Sequence, residues 1–381
     1  MKKAKVYILL LTLYSYCFAQ NLPPKQAYPL TTKQIHSGHS LTDPLFYPHW
    51  PGQYVNLMAL VLNKPAWQLI DKSIGKSTIP GSSLANRWQN GPSNGSPNAK
   101  SDIHNWELLS ITERVPLLYD GGSSEQWYIQ GIKDQRSTFS LFVNNAWTNG
   151  NQGKGAATLL WSTWVQIDGS NGPFREMLDI QGIEWEKMQD YANQQRPSGA
   201  PPIYMIPGHK MMARLYDDIQ KGIVPGITKL NQLFSDQIHT NELGAYAIAM
   251  IHYACIYNMN PVGLTNNLLP NANTETKIPS KEFANYIQNM VWDVVTHYER
   301  TGIRVSASTH KESFEHSYVY PNPATEMLNI NQSGKKEKII IYDVLGNVVF
   351  NGYDENINII SFPVGIYFLS IGQERLYFLK Q

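Results

Sequence analysis

Thr32-Lys33-Gln34-Ile35-His36-Ser37-Gly38-His39-Ser40-Leu41 is the stretch from which the rest of the chain is best read. Thr32 to His36 predicts a short strand, and Gly38 predicts that it ends in a turn carrying His39 and Ser40. A serine just beyond a first strand is where an exposed nucleophile sits. Far downstream stands Ser235-Asp236-Gln237-Ile238-His239. A serine that attacks esters needs a base within hydrogen-bond reach, and that base needs an acid to fix its tautomer. Asp236 and His239 can both serve Ser40 if the loop between them turns. The two segments together predict acyl-transfer chemistry at serine.

Working outward, a helix is expected from about Thr42, carrying Leu45, Phe46 and later Leu57 to Leu62. Trp67 to Ile70 and Ser73-Ile74 suggest the next strand and its turn, followed by Ile79-Pro80-Gly81-Ser82-Ser83-Leu84. Asn90 to Ser101 is rich in Gly, Pro, Asn and Ser and reads as a loop. Leu108 to Thr112 predicts a buried strand stopping at Glu113, and Gly122 to Phe142 a helix. Asn144-Asn145 and Asn149 to Gly155 read as a polar loop. Thr158 to Ile167 and Ile203 to Ile206 predict two further strands, Met211 to Lys221 and Asn241 to Asn258 two further helices. Strands alternating with helices predict an α/β domain, a mainly parallel sheet with helices on both faces. Ligands of such sheets bind beyond the carboxyl ends of the strands, where Ser40, Glu113 and the segments after Trp164 and Ile206 are placed.

The 381 residues exceed one typical domain, and their character changes near residue 310. The first nineteen residues read as a secretory signal: Lys2, Lys3 and Lys5, then the apolar run Val6 to Leu13, then Cys17-Phe18-Ala19 before Gln20. Cys17 also admits a lipoprotein reading, for which Tyr14 and Tyr16 make a poor context. No segment is long and apolar enough for a transmembrane helix. Once the signal is removed Cys255 is the sole cysteine, so no intrachain disulfide forms; its apolar setting, Ala245 to Tyr257, predicts a core position. The net charge of +1, without long runs of like charge, gives no sign of a nucleic-acid partner.

In the segment 20–305, Gly38-His39-Ser40-Leu41 and Asp236-Gln237-Ile238-His239 resemble the first and last sequence blocks of the SGNH hydrolases, the GDSL lipase and acylhydrolase group. His39 stands where that family usually has Asp. The resemblance implies a flavodoxin-like three-layer fold, with Ser40 as nucleophile, His239 as base and Asp236 as its orienter. It implies a serine esterase acting through an acyl-enzyme, with no metal and no organic cofactor; the secretion signal and the plentiful Tyr and Trp point to an acylated carbohydrate, or another small ester, as substrate. The family's second block places Gly81 as an oxyanion donor beside the Ser40 amide. Its third block, Gly-x-Asn, has no clean copy here. Ile111-Thr112-Glu113-Arg114 stands in its place, making Glu113 a candidate at the oxyanion or substrate site, or one half of an ion pair with Arg114. The segments Trp161-Ser162-Thr163-Trp164 and Asp168-Gly169-Ser170 also recur in less usual members, without an assigned role.

Plainer readings exist for each residue. Ser40 could cap a helix, Asp236 and His239 could satisfy a turn, and Gly81 follows a proline as turn glycines do. His209 reads as a surface loop residue. His104, His209 and His239 lack the close spacing of a zinc site. Trp147, Trp161, Trp164 and Trp185 read mostly as core. A rival of another class is a surface protein that keeps the hydrolase fold only to bind glycans.

After a polar linker, 306–317, the segment 318–381 predicts a small all-β sandwich. Its strands are Met327 to Asn331, Lys338 to Asp343, Val348 to Phe350, Ile357 to Ser361 and Ile366 to Ile371. Tyr320-Pro321-Asn322-Pro323-Ala324, Ile341-Tyr342-Asp343-Val344-Leu345-Gly346 and Pro363-Val364-Gly365-Ile366-Tyr367 resemble landmarks of the C-terminal sorting domain of the type IX secretion system. That resemblance implies the type IX machinery as a partner. It also implies export through the periplasm of a Gram-negative bacterium, to the medium or the cell surface.

Overall fold

A computed structural model of the chain describes residues 22–46, 52–93, 95–117, 126–269, 277–304, 317–332, 336–372 and 374–380. The expected signal segment and most of the expected linker lie outside these residues. The chain divides into two compact units, Met1–Arg304 and Val305–Gln381.

In the first unit the elements run β1 (Gln34–Gly38), α1 (Gln53–Val61), β2 (Ile74–Thr78), α2 (Leu84–Gln89), β3 (Leu108–Ile111), α3 (Gln126–Gly153), β4 (Ala157–Ser162), α4 (Phe174–Gln195), β5 (Tyr204–Pro207), α5 (Gly208–Gln220), α6 (Glu242–Tyr257) and α7 (Lys281–His297). The five strands lie in the order β2-β1-β3-β4-β5, and every pairing is parallel. The sheet is buried on both faces. Alternation along the strands sends Leu108, Leu159, Trp161 and Ile206 toward a core shared with α1, α5, α6 and α7. It sends Ile35, Leu109, Ile111, Leu160 and Met205 toward a second core with α2, α3 and α4. Chain order reverses at β1, so β1 and β3 flank the switch point at which open parallel sheets bind ligands.

Several expected boundaries shift. The strand expected near Trp67 is a single 3-10 turn at Ala66–Gln68. The real second strand, Ile74-Gly75-Lys76-Ser77-Thr78, is a polar edge strand without an apolar run to announce it. The helix expected from Thr42 is a short 3-10 turn, Asp43–Leu45, with α1 beginning only at Gln53. The strand expected to reach Ile167 ends at Ser162. Asn144, Asn145 and Asn149 belong to α3 rather than to a loop, because Phe142, Val143 and Ala146 bury its inner face; the backbone leaves helical geometry only at Gly150–Gln152. His209 is not a surface residue: it is 1 % exposed, in the first turn of α5, with Nδ1 2.7 Å from the Ser162 hydroxyl. Cys255 is buried and reduced.

The second unit is all-β. Strands β6 (Tyr318–Tyr320), β7 (Met327–Asn331) and β10 (Asn356–Asn358) form one antiparallel sheet. Strands β8 (Ile339–Tyr342), β9 (Val348–Gly352), β11 (Gly365–Ile371) and β12 (Glu374–Lys380) form the other. Leu328, Ile330 and Ile357 of the first pack with Ile339, Ile341, Leu369 and Phe378 of the second, which makes a sandwich core. Strands β6 and β12 are additional to those expected from the sequence.

Among the described residues of the first unit four histidines are buried, and burial is the main cause holding all four neutral. His39 and His252 are lowered to about 4, His209 to about 3, and His36 well below its ordinary value. An unfolded histidine titrates near 6.5, so the unfolded chain binds more protons once pH falls below that value. Stability is therefore present at neutral pH and is lost as pH falls through this window. Urea midpoints measured from pH 7 to 5 should fall, each histidine contributing at most about 1.4 kcal/mol per pH unit. A midpoint independent of pH over that range would contradict the assignment.

Candidate active site

The turn after β1 is fixed from several directions. Gly38 O accepts from the Ile79 amide at 3.0 Å, and Ser37 O from the Thr112 amide at 3.2 Å, so the ends of β1, β2 and β3 stay in register beyond their ladders. Thr42 N donates to His39 O at 2.8 Å, which curls the chain so that Ser40 stands at its crest. His39 closes the turn from inside. Its Nε2 lies 3.0 Å from Glu113 O, and its Nδ1 accepts from Leu41 N at 3.3 Å. Only a neutral imidazole can donate at one nitrogen and accept at the other. Burial first, and then Arg87, keep His39 in that state down to about pH 4.

The second half of the site is a loop held by its own backbone. Phe234 and Thr240 form an antiparallel bridge, and Ser235 N donates to His239 O at 2.8 Å. Asn241 caps α6, accepting from Leu243 N and Gly244 N, while its Nδ2 donates to Gln232 O at 2.8 Å. The cap thus ties this loop to the helix that follows it. From the sheet side, the Trp164 indole donates to Ile238 O at 2.9 Å and Ile167 N to Gln237 O at 2.8 Å. Trp164 is fully buried, edge-on to Phe234 and Trp161. The segment Trp161-Ser162-Thr163-Trp164, which has no assigned role at the level of sequence, is the backstop of this loop.

The two halves meet. His239 Nε2 lies 2.8 Å from Ser40 Oγ, and His239 Nδ1 lies 2.7 Å from Asp236 Oδ2. The other Asp236 oxygen accepts from the amides of Ile238 at 2.8 Å and His239 at 2.7 Å. Partial burial works to raise the Asp236 carboxyl, but the amides of His239 and Ile238 and the imidazole outweigh it and hold it at about 2. Asp236 is therefore a carboxylate at any ordinary pH and fixes the proton on Nδ1. Nε2 is left to accept from the serine hydroxyl. The Asp236 and His239 side chains are 54 % and 41 % exposed, so the pair faces an open surface.

Gly81 lies on the turn after β2, at the same sheet edge, exposed and with φ of +65°. Among the described residues neither its amide nor that of Ser40 donates to another protein group. Glu113 is placed differently from the expectation. It turns inward, 1 % exposed, with Oε1 accepting from Leu84 N at 3.0 Å and Arg114 N at 2.6 Å. It is thus removed from direct contact with a substrate. Burial raises its carboxyl, and the charge of Arg87 opposes that. Among the described residues no His, Cys, Asp or Glu cluster could hold a metal ion, and no helix is long and apolar enough to cross a membrane.

Residues 318–381 match the family model of the secretion system C-terminal sorting domain. The tail marks the chain as one addressed for export or the cell surface, with the type IX machinery as partner. No curated protein matches the sequence. Several solved structures are similar to the chain at low identity. A DUF4886 family protein from Bacteroides uniformis is 13 % identical, with a TM-score of 0.46 over 72 % of this chain and 99 % of that one. An acetylxylan esterase from Geobacillus stearothermophilus is 14 % identical, with a TM-score of 0.37 over 60 % and 94 %. A putative GDSL-like lipase from Parabacteroides merdae is 14 % identical, with a TM-score of 0.35 over 61 % and 95 %.

Gly38 is tightly packed beneath Ser40. A Cβ there would lie 2.0 Å from Thr42 Oγ1, 2.7 Å from Thr42 Cβ and 3.2 Å from Thr112 Cγ2. Gly38→Ala should therefore destabilise the domain by about 1–3 kcal/mol, measured by urea unfolding. A variant as stable as the parent would show that the turn has slack.

Proposed function

We propose that this chain is a secreted serine ester hydrolase of the SGNH kind. The observation that carries the reading is the continuous relay from Asp236 through His239 to Ser40, built from segments 199 residues apart and placed at the carboxyl edge of a parallel sheet. Helix caps and turn residues do not need a serine hydroxyl, an imidazole and a carboxylate in line.

In this reading Ser40 Oγ attacks the ester carbonyl while its proton passes to His239 Nε2, and the carbonyl oxygen becomes an oxyanion. Asp236 stabilises the imidazolium that results. The oxyanion is received by the amides of Ser40 and Gly81, two donors without other partners among the described residues. His239 then protonates the departing alkoxide as its C–O bond breaks, leaving an acyl group on Ser40. Water, deprotonated by His239, attacks that acyl group and releases the acid.

The substrate is an acylated carbohydrate or another small ester. Export places the enzyme among extracellular polymers, and the half-exposed His239 and Asp236 suit a group presented on a bulky carrier. The aromatic content does not add to this, because Trp161, Trp164 and Trp185 are all buried in the core.

Ser40→Ala should lower kcat on 4-nitrophenyl acetate and on acetylated xylo-oligosaccharides by about four to six orders of magnitude, with the thermal midpoint unchanged. Turnover retained by Ser40→Ala would contradict the mechanism. Glycan binding by the parent protein without any turnover would favour the binding module instead.

A further inference from the structure

The Gly81 amide sits on a turn with little to hold it. Strand β2 is the outer strand of the sheet, so no strand supports the turn from beyond. No atom lies within 4 Å of where a Gly81 Cβ would be. One flank of the turn is tied by the bond from Ile79 N to Gly38 O. On the other flank, Ser82 is bonded from outside the turn by a single side chain.

We propose that Arg87 is the positioning residue of the oxyanion site, fixing the turn that carries Gly81 against the two strand ends beside the nucleophile; this rests on the esterase reading above. Arg87 is 4 % exposed and points into the sheet edge from the short helix α2. Its Nη1 donates to Ser82 O at 2.8 Å and to Ser82 Oγ at 2.9 Å, holding the residue after Gly81 by two atoms. Its Nε donates to Ser37 Oγ at 3.2 Å, next to Gly38 on β1. Its Nη2 donates to Thr112 O just beyond β3. One planar, fixed fork of donors thus joins the ends of β1, β2 and β3, which a flexible ammonium could not do at the same three places. Ser82 relays the hold inward, donating its hydroxyl to Ile79 O at 2.7 Å and so closing the turn around Gly81.

Glu113 completes the device. Its carboxylate accepts from Leu84 N, the first residue of α2, and so sets where that helix starts and where Arg87 falls. It also supplies the counter-charge near a buried guanidinium. Buried charges of this kind add little to stability against apolar groups of the same volume. Their use here is geometric: an oxyanion donor works only where it is held at hydrogen-bond distance from the developing charge. The Glu113 that stands in place of the family's asparagine acts in this arrangement through Arg87 and α2, not on the substrate.

The test compares the full mature protein with Ser82→Ala, Arg87→Lys and Arg87→Met, each titrated with a fluorophosphonate so that kcat refers to competent sites only. Arg87→Lys should lower kcat per site on 4-nitrophenyl acetate by roughly ten- to hundredfold, and Arg87→Met by at least as much. Ser82→Ala, which removes only one strut and is the variant that decides if the Arg87 variants do not fold, should lower it by about three- to tenfold. KM should stay within about twofold and the midpoint of the pH–rate profile should not move, since none of the three variants touches His239 or Asp236. A merely structural role would reduce the titratable fraction and leave kcat per site intact. Folded Ser82→Ala and Arg87→Lys variants with kcat per site within about twofold of the parent would overturn the proposal alone. Absence of Ser40-dependent turnover in the parent would overturn the esterase reading and this proposal together.

Discussion

Five strands running in one direction place every loop that follows them along one edge of the sheet, and the site depends on that constraint. Ser40 follows β1, Gly81 follows β2, Glu113 follows β3, and the Trp164 segment follows β4. Reversal of chain order at β1 opens the edge between β1 and β3, so Ser40 stands where the neighbouring helices diverge to opposite faces. The His239 loop then needs only to come down from the entrance to α6. The Trp164 indole, the Ile167 amide and the Asn241 cap bring it there.

The relay is open to water while its supports are dry. Asp236 and His239 are about half exposed, whereas His39, Arg87, Glu113 and Trp164 are buried beneath them. This separates two tasks with opposite needs. The reacting groups must be reached by a substrate, and the groups that fix their positions must not compete with water for their hydrogen bonds. His39 illustrates the second task. Where SGNH hydrolases usually have an acid, a neutral imidazole joins β1 to β3 with one donor and one acceptor, and adds no negative charge beneath Ser40.

The three residues of the relay, Ser40, Asp236 and His239, were legible in the sequence because they lie in short local patterns, Gly-His-Ser-Leu and Asp-x-x-His. The parallel sheet was legible where strands are apolar, as in Leu108 to Ile111, and illegible where they are not. Strand β2 is an edge strand with Lys76, Ser77 and Thr78 in it, so its reading slid back onto the apolar Trp67 to Ile70. Helix α4 gave no clear stripe because Gln181, Gln189 and Asn193 are buried on its inner side, where Gln189 and Asn193 satisfy the Ile203 carbonyl. Arg87 left no local signal at all. Its partners Ser37 and Thr112 lie 50 and 25 residues away, and only the folded sheet brings them together. In the tail, the alternation of β7, β8 and β11 was plain, while β6 and β12 lie at the ends of the segment.

If Ser40 is a nucleophile activated by His239, the most direct measurement is covalent. The mature protein is treated with a fluorophosphonate probe, its adduct is counted by intact mass, and the modified residue is located by peptide mapping. The account predicts a single adduct on Ser40, lost in Ser40→Ala and much slowed in His239→Ala. A folded protein that takes up no probe, or takes it up at another residue, would contradict it.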